Sequence, residues 1–233
     1  PGLFADVESV SGAFENMASL TAAPEGFFDT AVNVTDASRL FYNCKALVDV
    51  PENLFANMPA LEDVSNMFYN CQAEGLFKSN RDIYLVSALF SYSGLETIPV
   101  GFFDFGENIK MMITVFAGCE KLKEIPSGLF DKLSGATRFQ STFLNCTALT
   151  SIPAALFDNC KKINITQYMF MGCTGLTGES PYTVVDGAKV HLYERNDHLD
   201  VFTKIPNKDA KGTFAGCTGL SDYDSMPDKY KEN

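Results

Sequence analysis

The chain has 233 residues, 46% hydrophobic and 20% charged, with a formal net charge of −11 and a pI near 4.6. No run of 18 apolar residues occurs, so the sequence predicts a chain that buries a core in water without crossing a membrane. The acidic balance disfavours phosphate backbones and anionic lipids, because no cluster of Lys and Arg offsets it. We therefore expect no nucleic acid partner, and membrane contact only through an anchor outside this chain.

A short motif recurs along the chain, a phenylalanine followed three residues later by a cysteine, at intervals that are mostly 27 residues. Two degenerate copies, Phe14 with Met17 and Phe90 with Ser93, fall where the period requires them. The sequence therefore predicts about eight repeats. The complete copies are Phe41/Cys44, Phe68/Cys71, Phe116/Cys119, Phe143/Cys146, Phe170/Cys173 and Phe214/Cys217.

Each copy continues in a constant register. A leucine follows the first phenylalanine by six residues in six copies, and a proline follows it by ten residues in four copies and by nine in a fifth. A second phenylalanine stands four residues after the proline in five copies, and the next repeat begins 13 residues later in all five. Four landmarks that keep register over most of the chain predict one repeated supersecondary unit.

Local patterns suggest how one unit is built. Segments such as 148–152 alternate apolar and polar residues, which predicts a short half-buried strand. The proline cannot donate to a ladder and suits the start of a helical turn, as in 126–130. A stretch rich in Ser and Thr, such as 137–142, leads back to a compact Phe-x-x-Cys turn. One such circuit cannot close a core, so neighbours must stack, with strands about 5 Å apart in one parallel sheet.

The combined pattern A/M-F-x-x-C-x-x-L-x-x-I-P-x-x-L-F resembles the BspA-like leucine-rich repeats found in surface proteins of gut and oral bacteria and some parasitic protists. The resemblance covers nearly the whole chain. It implies an α/β repeat fold, a single right-handed solenoid over residues 1–233, with export to the cell surface and roles in adhesion or interaction instead of catalysis. Members differ widely in ligand, so the resemblance implies no binding residue.

Two intervals depart from the period. Between Phe68 and Phe90 the spacing contracts to 22, and residues 74–77 replace the strand and proline, so we expect a weakened or missing strand there. Between Phe170 and Phe214 the spacing grows to 44, with the extra residues around 177–211.

The insertion 177–211 carries a strong hairpin signal. Asp186-Gly187 lies between the apolar runs 181–185 and 188–193, which predicts two strands joined by a tight turn. An insertion projects from one face of a solenoid, and exposed aromatic, Arg and His side chains there would form a binding patch. The alternative, which we favour, is a structural flap that shields the end of the core. The candidate ligand-binding residues are Tyr182, His191, Tyr193, Arg195 and His198.

The cysteines are predicted to be structural. A residue that recurs every 27 positions in a stacked solenoid faces inward, and Met17 and Ser93 replace it, which a metal site or an obligatory disulfide would not tolerate. A disulfide between stacked neighbours is the alternative. Cys160 occupies a slot that other copies fill with Met58 and Leu133, so we expect it in the core and not as a nucleophile. The predicted ladder is Cys44, Cys71, Cys119, Cys146, Cys173 and Cys217.

These observations favour a non-catalytic, secreted or cell-surface module that binds another protein through the solenoid face. Two alternatives are a glycan-binding adhesin or nutrient-capture module and a passive spacer. The partner would lie on a host or neighbouring cell, and no cofactor or metal is expected. A protein-binding face predicts contiguous exposed aromatic, Met or Arg residues. A glycan site predicts a cleft with aromatic and amide groups together, and a spacer predicts neither.

Overall fold

The computed structural model of the chain describes residues 3–51, 53–72 and 83–232. Within them, regular elements are few: a hairpin of β1 (Tyr182–Val185) and β2 (Ala188–His191), and the helix α1 (Asp228–Lys231). Most of the remaining described residues form turns and single bridges that wind into stacked coils. The described 3-10 helices are Gly106–Asn108, Leu192–Asp197, Asn207–Asp209 and Tyr223–Ser225.

The first phenylalanine of each repeat forms a continuous stack through the core. Consecutive ring centroids are 5.3 to 5.9 Å apart, and their planes lie within 13° of one another. Such spacing is what parallel segments of neighbouring coils require. We number the coils 1 to 8 by these residues, which are Phe14, Phe41, Phe68, Phe90, Phe116, Phe143, Phe170 and Phe214.

Neighbouring coils pair through the phenylalanine turn itself. In coil 2 the N–H groups of Arg39, Phe41 and Asn43 donate to carbonyls of coil 3 at 2.8 to 3.1 Å. The N–H groups between them close turns inside coil 2, as from Tyr42 to the Arg39 carbonyl at 2.9 Å. Along this segment the backbone N–H groups therefore bond alternately to a carbonyl of the next coil and to a carbonyl of the same coil. Every N–H from 39 to 44 has a partner.

This turn needs a left-handed backbone two residues before and two residues after each phenylalanine. In coil 2 the φ angles are 56° at Arg39 and 60° at Asn43. Asn and Gly tolerate this region best, which explains why they fill the later slot in seven of the eight coils. Coil 4 differs, because Tyr92 occupies the slot at a φ of 58°. A bulky residue in this region costs roughly 1–2 kcal/mol.

The predicted strand at 148–152 is not a strand in the structure. Thr150 instead gives a single N–H bond to the Lys123 carbonyl of the coil before, at 3.2 Å. The proline that ends this segment has no N–H to extend a ladder. Most of the single β-bridges between neighbouring coils lie five residues before the phenylalanine, for example between Arg138 and Ile165. The sequence predicted that the coils pair after the phenylalanine, whereas most of the bridges lie before it.

The turn that the sequence predicts after the proline is present as one tight turn, in which the Leu129 N–H donates to the Pro126 carbonyl at 3.3 Å. The weakened strand expected at 74–77 lies outside the described residues. Across that contracted interval the rings of Phe68 and Phe90 still stack at 5.6 Å and 4°.

The cysteine side chains form a second buried column beside the phenylalanine stack. All seven cysteines are free thiols, and all are fully buried. Each ladder thiol donates to the carbonyl of the phenylalanine one coil earlier, for example from Cys71 to Phe41 at 2.9 Å and from Cys146 to Phe116 at 3.1 Å. Burial raises the pKa of Cys71 to about 12. The column is therefore a structural feature, and Cys71 stays protonated near neutral pH.

Candidate functional site

The insertion leaves coil 7 and returns to coil 8 without interrupting the core. The rings of Phe170 and Phe214 stack at 5.6 Å and 4°, although 44 residues separate them. Strands β1 and β2 pair antiparallel around Asp186 and Gly187, whose positive φ angles of 49° and 83° suit a tight hairpin turn. The hairpin that the Asp-Gly signal predicts is thus present, and we call residues 177–211 the flap.

Arg195 of the flap lies in the interior, with 2% of its surface exposed. Its guanidinium donates to the carbonyls of Cys160 and Phe157 at 3.0 and 2.9 Å, and to the Thr183 hydroxyl at 3.1 Å. It also covers the ring of Phe202 at 4.3 Å. Burial lowers the pKa of Arg195 to about 10, so it remains charged at neutral pH. Arg195 therefore fastens the flap to coil 6.

His191 is surrounded by carboxylates, two of which belong to the flap itself. Its Nδ1 lies 2.8 Å from Glu194 and its Nε2 lies 3.0 Å from Glu179. Asp222 of the last coil is 3.7 Å from the same Nε2. The ring of Tyr193, with 8% of its residue surface exposed, stacks on the imidazole at 5.1 Å and 10°. Of these contacts, the one with Asp222 links the flap to coil 8, and together they leave little aromatic surface for a ligand.

The remaining predicted residues are also engaged within the protein. Lys189 lies over the Tyr182 ring at 4.3 Å. The backbone carbonyl of His198 accepts the N–H groups of Val201 and Phe202 at 3.1 and 3.0 Å. A ligand-binding role for the five flap residues stays a prediction, and the burial of Tyr193 and Arg195 favours the capping alternative.

The chain after Cys217 completes this end of the solenoid. The N–H groups of Gly212 and Phe214 donate to the carbonyls of Lys229 and Tyr230, both at 2.8 Å. Tyr230 is fully buried. Backbone donors and apolar surface of coil 8 are therefore covered, as the terminal repeat of a solenoid requires.

A different surface, on coils 2 to 4, carries a row of aromatic residues, of which Tyr42 and Tyr69 are half-buried and Tyr92 is exposed. The rings of Tyr42 and Tyr69 stack at 4.6 Å and 12°, and Tyr92 continues the row at 5.4 Å and 59°. The Arg39 guanidinium lies over the Tyr42 ring at 4.3 Å. Tyr92 is 53% exposed. We call Tyr42, Tyr69 and Tyr92 the tyrosine ladder.

An amide ladder runs beside the tyrosine ladder. The Asn43 amide donates to the Asn16 side-chain oxygen at 2.8 Å, and the Asn70 amide donates to the Asn43 oxygen at 2.6 Å. Each donor belongs to the coil that follows. In coil 4 the equivalent slot holds Tyr92, so among the described residues the Asn70 oxygen receives no such donor. The amide ladder therefore ends at Asn70 with an acceptor available.

A groove lies where the two ladders end. Its volume is about 290 Å³. The walls combine an aromatic ring, two amides and both signs of charge, which can bind a polar ligand with an apolar face. The lining residues are Asn70, Gln72, Tyr92, Ser93, Gly94, Gly118, Glu120 and Lys121.

The sequence analysis did not find this surface, although a signal was present. Phe-Tyr-Asn-Cys occurs at both 41–44 and 68–71, so Tyr and Asn recur at fixed slots. Neighbouring coils place equal slots side by side, which makes each recurrence a ladder. Coil 4 obscured the pattern, because Tyr92 stands one residue later than Tyr42 and Tyr69 in their repeats.

In the described part of the chain, no group of three or more His, Cys, Asp or Glu residues is arranged to hold a metal ion. No helix in residues 3–51, 53–72 and 83–232 has the length and apolar character to span a membrane. The Cys160 thiol donates to the carbonyls of Phe130 and Leu133 at 3.5 and 3.6 Å, and burial raises its pKa to about 12.

Comparison with known proteins gives distant likenesses in structure. No protein-family model matches the chain, and no curated protein matches its sequence. The chain is similar to a leucine-rich repeat protein of T. pallidum, at 15% identity and a TM-score of 0.42, over 92% of this chain and 71% of that one.

A leucine-rich repeat protein of Bacteroides ovatus is 17% identical with a TM-score of 0.30, over 90% of this chain and 68% of that one. The structure of the Toll–Spätzle complex from Drosophila matches at 16% identity and a TM-score of 0.37, over 92% of this chain and 36% of that one. Leucine-rich repeat proteins are thus among the structural neighbours, at TM-scores too low to indicate a function for this chain.

Proposed function

We propose that the chain is a non-catalytic interaction module that binds another protein through the tyrosine ladder. The observation that carries this proposal is the contiguous row of Arg39, Tyr42, Tyr69 and Tyr92 across three coils. Tyr and Arg are the residue types most enriched in the energetic centres of protein interfaces. A passive spacer would carry only polar residues at these positions.

The packing of the ladder also suits binding. Tyr42 and Tyr69 are stacked face to face on a hydrogen-bonded backbone, so a partner meets side chains that are already ordered. Little rotamer freedom is then lost on association, and that loss is one of the main costs of binding. The ladder therefore offers more affinity per unit area than the same residues on a flexible loop.

The resemblance to BspA-like repeats supports the wider setting of this proposal. We take residues 1–233 as one right-handed solenoid of about eight repeats, with the flap as a cap near its end. Export to the cell surface, and a partner on a host or neighbouring cell, belong to the same proposal. An adhesive role would use the exposed ladder and would leave the flap as a structural element.

The test is a screen of the purified chain against purified matrix and host cell-surface proteins. A Tyr42→Ser/Tyr69→Ser variant removes the stacked pair, and Glu124→Ala/Ser151→Ala is a matched control at exposed positions eight residues after the phenylalanine. We expect at least tenfold weaker binding by the ladder variant and unchanged binding by the control. Equal binding by both variants would contradict the proposal, and a screen without any partner would favour a spacer.

A further inference from the structure

The groove at the end of the tyrosine ladder has a composition that the proposed protein interface does not require. Asn70 and Gln72 lie on one wall, Glu120 and Lys121 contribute opposite charges, and the Tyr92 ring supplies an aromatic surface. A flat protein interface does not require several hydrogen-bonding side chains around one aromatic ring. They match a small ligand that has an apolar face and a rim of hydroxyl groups.

The Tyr92 ring is held in place as a platform. It lies so close to Gly118 that a Cβ atom at residue 118 would be 2.5 Å from the ring Cδ1. Tyr69 contacts it from coil 3 at 5.4 Å. More than half of Tyr92 nevertheless remains exposed. The missing side chain at Gly118 thus allows the ring to lie against the backbone and to keep surface open to a ligand.

The hydrogen-bonding groups of the wall complement this platform. Among the described residues, the Asn70 side-chain oxygen at the end of the amide ladder receives no donor of the kind that Asn16 and Asn43 receive. The Gln72 side chain packs over Gly94, since a Cβ atom there would be 2.6 Å from its Oε1. Amides offer donors and acceptors, and the Glu120 carboxylate accepts. A hydroxyl both donates and accepts, so adjacent hydroxyl groups of one ligand can satisfy such a wall.

We propose that this groove binds a neutral pyranose, with one face of the sugar ring stacked on Tyr92. The C–H groups on that face are attracted to the electron-rich face of the aromatic ring. The equatorial hydroxyls reach Asn70, Gln72 and Glu120 around the rim. A volume of about 290 Å³ limits the ligand to one or two sugar rings. Because Glu120 and Lys121 balance each other, the groove favours an uncharged sugar over a sialic acid or a phosphorylated sugar.

The backbone supports this assignment of Tyr92. The other coils place Asn or Gly at the same left-handed slot, and coil 4 accepts the cost of a bulky residue there. That cost yields a half-exposed ring above Gly118. Restoring the usual residue therefore separates the role of the ring from the stability of the coil.

The experiment is saturation-transfer NMR with the full chain and methyl glucoside, methyl galactoside, N-acetylglucosamine, cellobiose, lactose and chitobiose, beside sialyllactose as an acidic probe. Tyr92→Asn installs the residue of coils 2 and 3, and its amide would donate to Asn70, so the variant is expected to fold. Gly118→Ala displaces the ring by another route. Tyr42→Ser, at the far end of the ladder, is the matched control.

We expect saturation transfer to at least one neutral sugar, at least tenfold weaker affinity for Tyr92→Asn and Gly118→Ala, and unchanged affinity for Tyr42→Ser. The proposal is overturned if no neutral sugar shows transfer, if only sialyllactose does, or if Tyr92→Asn binds as well as the unmodified chain. The two proposals share Tyr92, but Tyr42→Ser distinguishes them, because it weakens the protein interface and leaves the residues that line the groove unchanged. Failure of one proposal can therefore be told from failure of the other.

Discussion

The tyrosine ladder and the flap contain the same residue types and use them in opposite ways. Tyr92 is 53% exposed, whereas Tyr193 is 8% exposed and Arg195 is 2% exposed. In the ladder, Arg39 lies over a tyrosine ring at the surface. In the flap, Arg195 donates to main-chain carbonyls inside the protein. Aromatic and basic residues thus indicate a binding surface only once their burial is known, because the same side chains also close the end of a solenoid.

The largest expected effect is loss of the buried arginine. Arg195→Met leaves the carbonyls of Phe157 and Cys160 without their side-chain donor in the interior, so we expect the free energy of unfolding to fall by about 2–4 kcal/mol. Arg195→Lys should recover little of this loss, because one ammonium cannot reproduce the planar fork. Urea unfolding followed by circular dichroism measures both variants.

The control for Arg195→Met is Tyr42→Ser on the ladder, which should cost less than about 1 kcal/mol because its ring is partly exposed. A similar loss of unfolding free energy in both variants would contradict the view that the flap is a structural cap and the tyrosine ladder a binding surface. A loss below about 0.5 kcal/mol for Arg195→Met would show that the flap does not depend on its buried arginine.

The second prediction concerns two buried thiols, Cys71 near the tyrosine ladder and Cys160 near the flap. Burial raises the pKa of Cys71 near the ladder and of Cys160 beneath the flap to about 12. Both thiols should resist iodoacetamide at pH 8 in the native state, since only thiolates at the surface react quickly. Mass spectrometry of labelled peptides measures each site. Rapid native labelling of Cys71 would contradict the inward-facing column on which the fold rests.

Arg195→Met sharpens this measurement. Loosening the flap should speed labelling of Cys160, whose carbonyl Arg195 binds, and should leave Cys71 protected. Equal acceleration at both thiols would indicate that the flap and the ladder unfold as one unit.

The sequence predicted what depends on period and missed what depends on local backbone conformation. The repeat of Phe and Cys is enough to place both in columns, because equal slots of a solenoid face the same way. The hairpin followed from Asp186-Gly187, a turn signal with a specific backbone requirement. The hydrogen bonds between coils were predicted in the wrong place. The alternation at 148–152 is typical of a strand, while the observed hydrogen bonds between coils run through left-handed turns.

The functional surface was harder to predict for a related reason. The insertion attracted attention because it breaks the period and collects His, Tyr and Arg, yet folding back onto coils 6 to 8 buries several of them. Tyr42 and Tyr69 keep the period, so they did not stand out, and Tyr92 lies one residue away from their slot. Sequence spacing alone does not show which side of a turn faces solvent, and that side decides whether Tyr42 and Tyr69 are core or surface.

The third expectation tests the amide ladder. Asn43 donates to Asn16, accepts from Asn70 and adopts a φ of 60°. Asn43→Gly keeps the backbone conformation and loses only the side-chain bonds, so we expect a loss of about 0.5–1 kcal/mol. Asn43→Ala adds the cost of a left-handed alanine and should lose about 1 kcal/mol more. Thermal unfolding measures both, and equal losses would mean that the left-handed turn contributes nothing to the choice of residue.

The smallest expected effect is the acid sensitivity of the flap. The hydrogen bond from Lys189, followed by that from His191, lowers the pKa of Glu179 below 4.5. A carboxyl whose pKa is lower in the folded state contributes stability that is fully present above its unfolded pKa and is lost as the pH falls through the folded value. Below about pH 4.5 the flap should therefore loosen before the ladder does. Hydrogen exchange of 177–211 and of 39–44 at pH 7 and pH 3.5, corrected for intrinsic rates, compares the two regions.

Lys189→Met removes the first of those hydrogen bonds, so the Glu179 pKa rises toward its ordinary value. The flap should then exchange faster at pH 7, and its further loosening at pH 3.5 should shrink, because less stability is left to lose when Glu179 is protonated. Residues 39–44 contain no part of this network and should keep their exchange rates in the variant. The Glu179 side chain is partly exposed, with 35% of its surface accessible, so the shift should also shrink in 0.5 M salt. Acid loosening of unchanged size in the variant would place its cause in other groups around the flap, with His191, Glu194 and Asp222 the next to test.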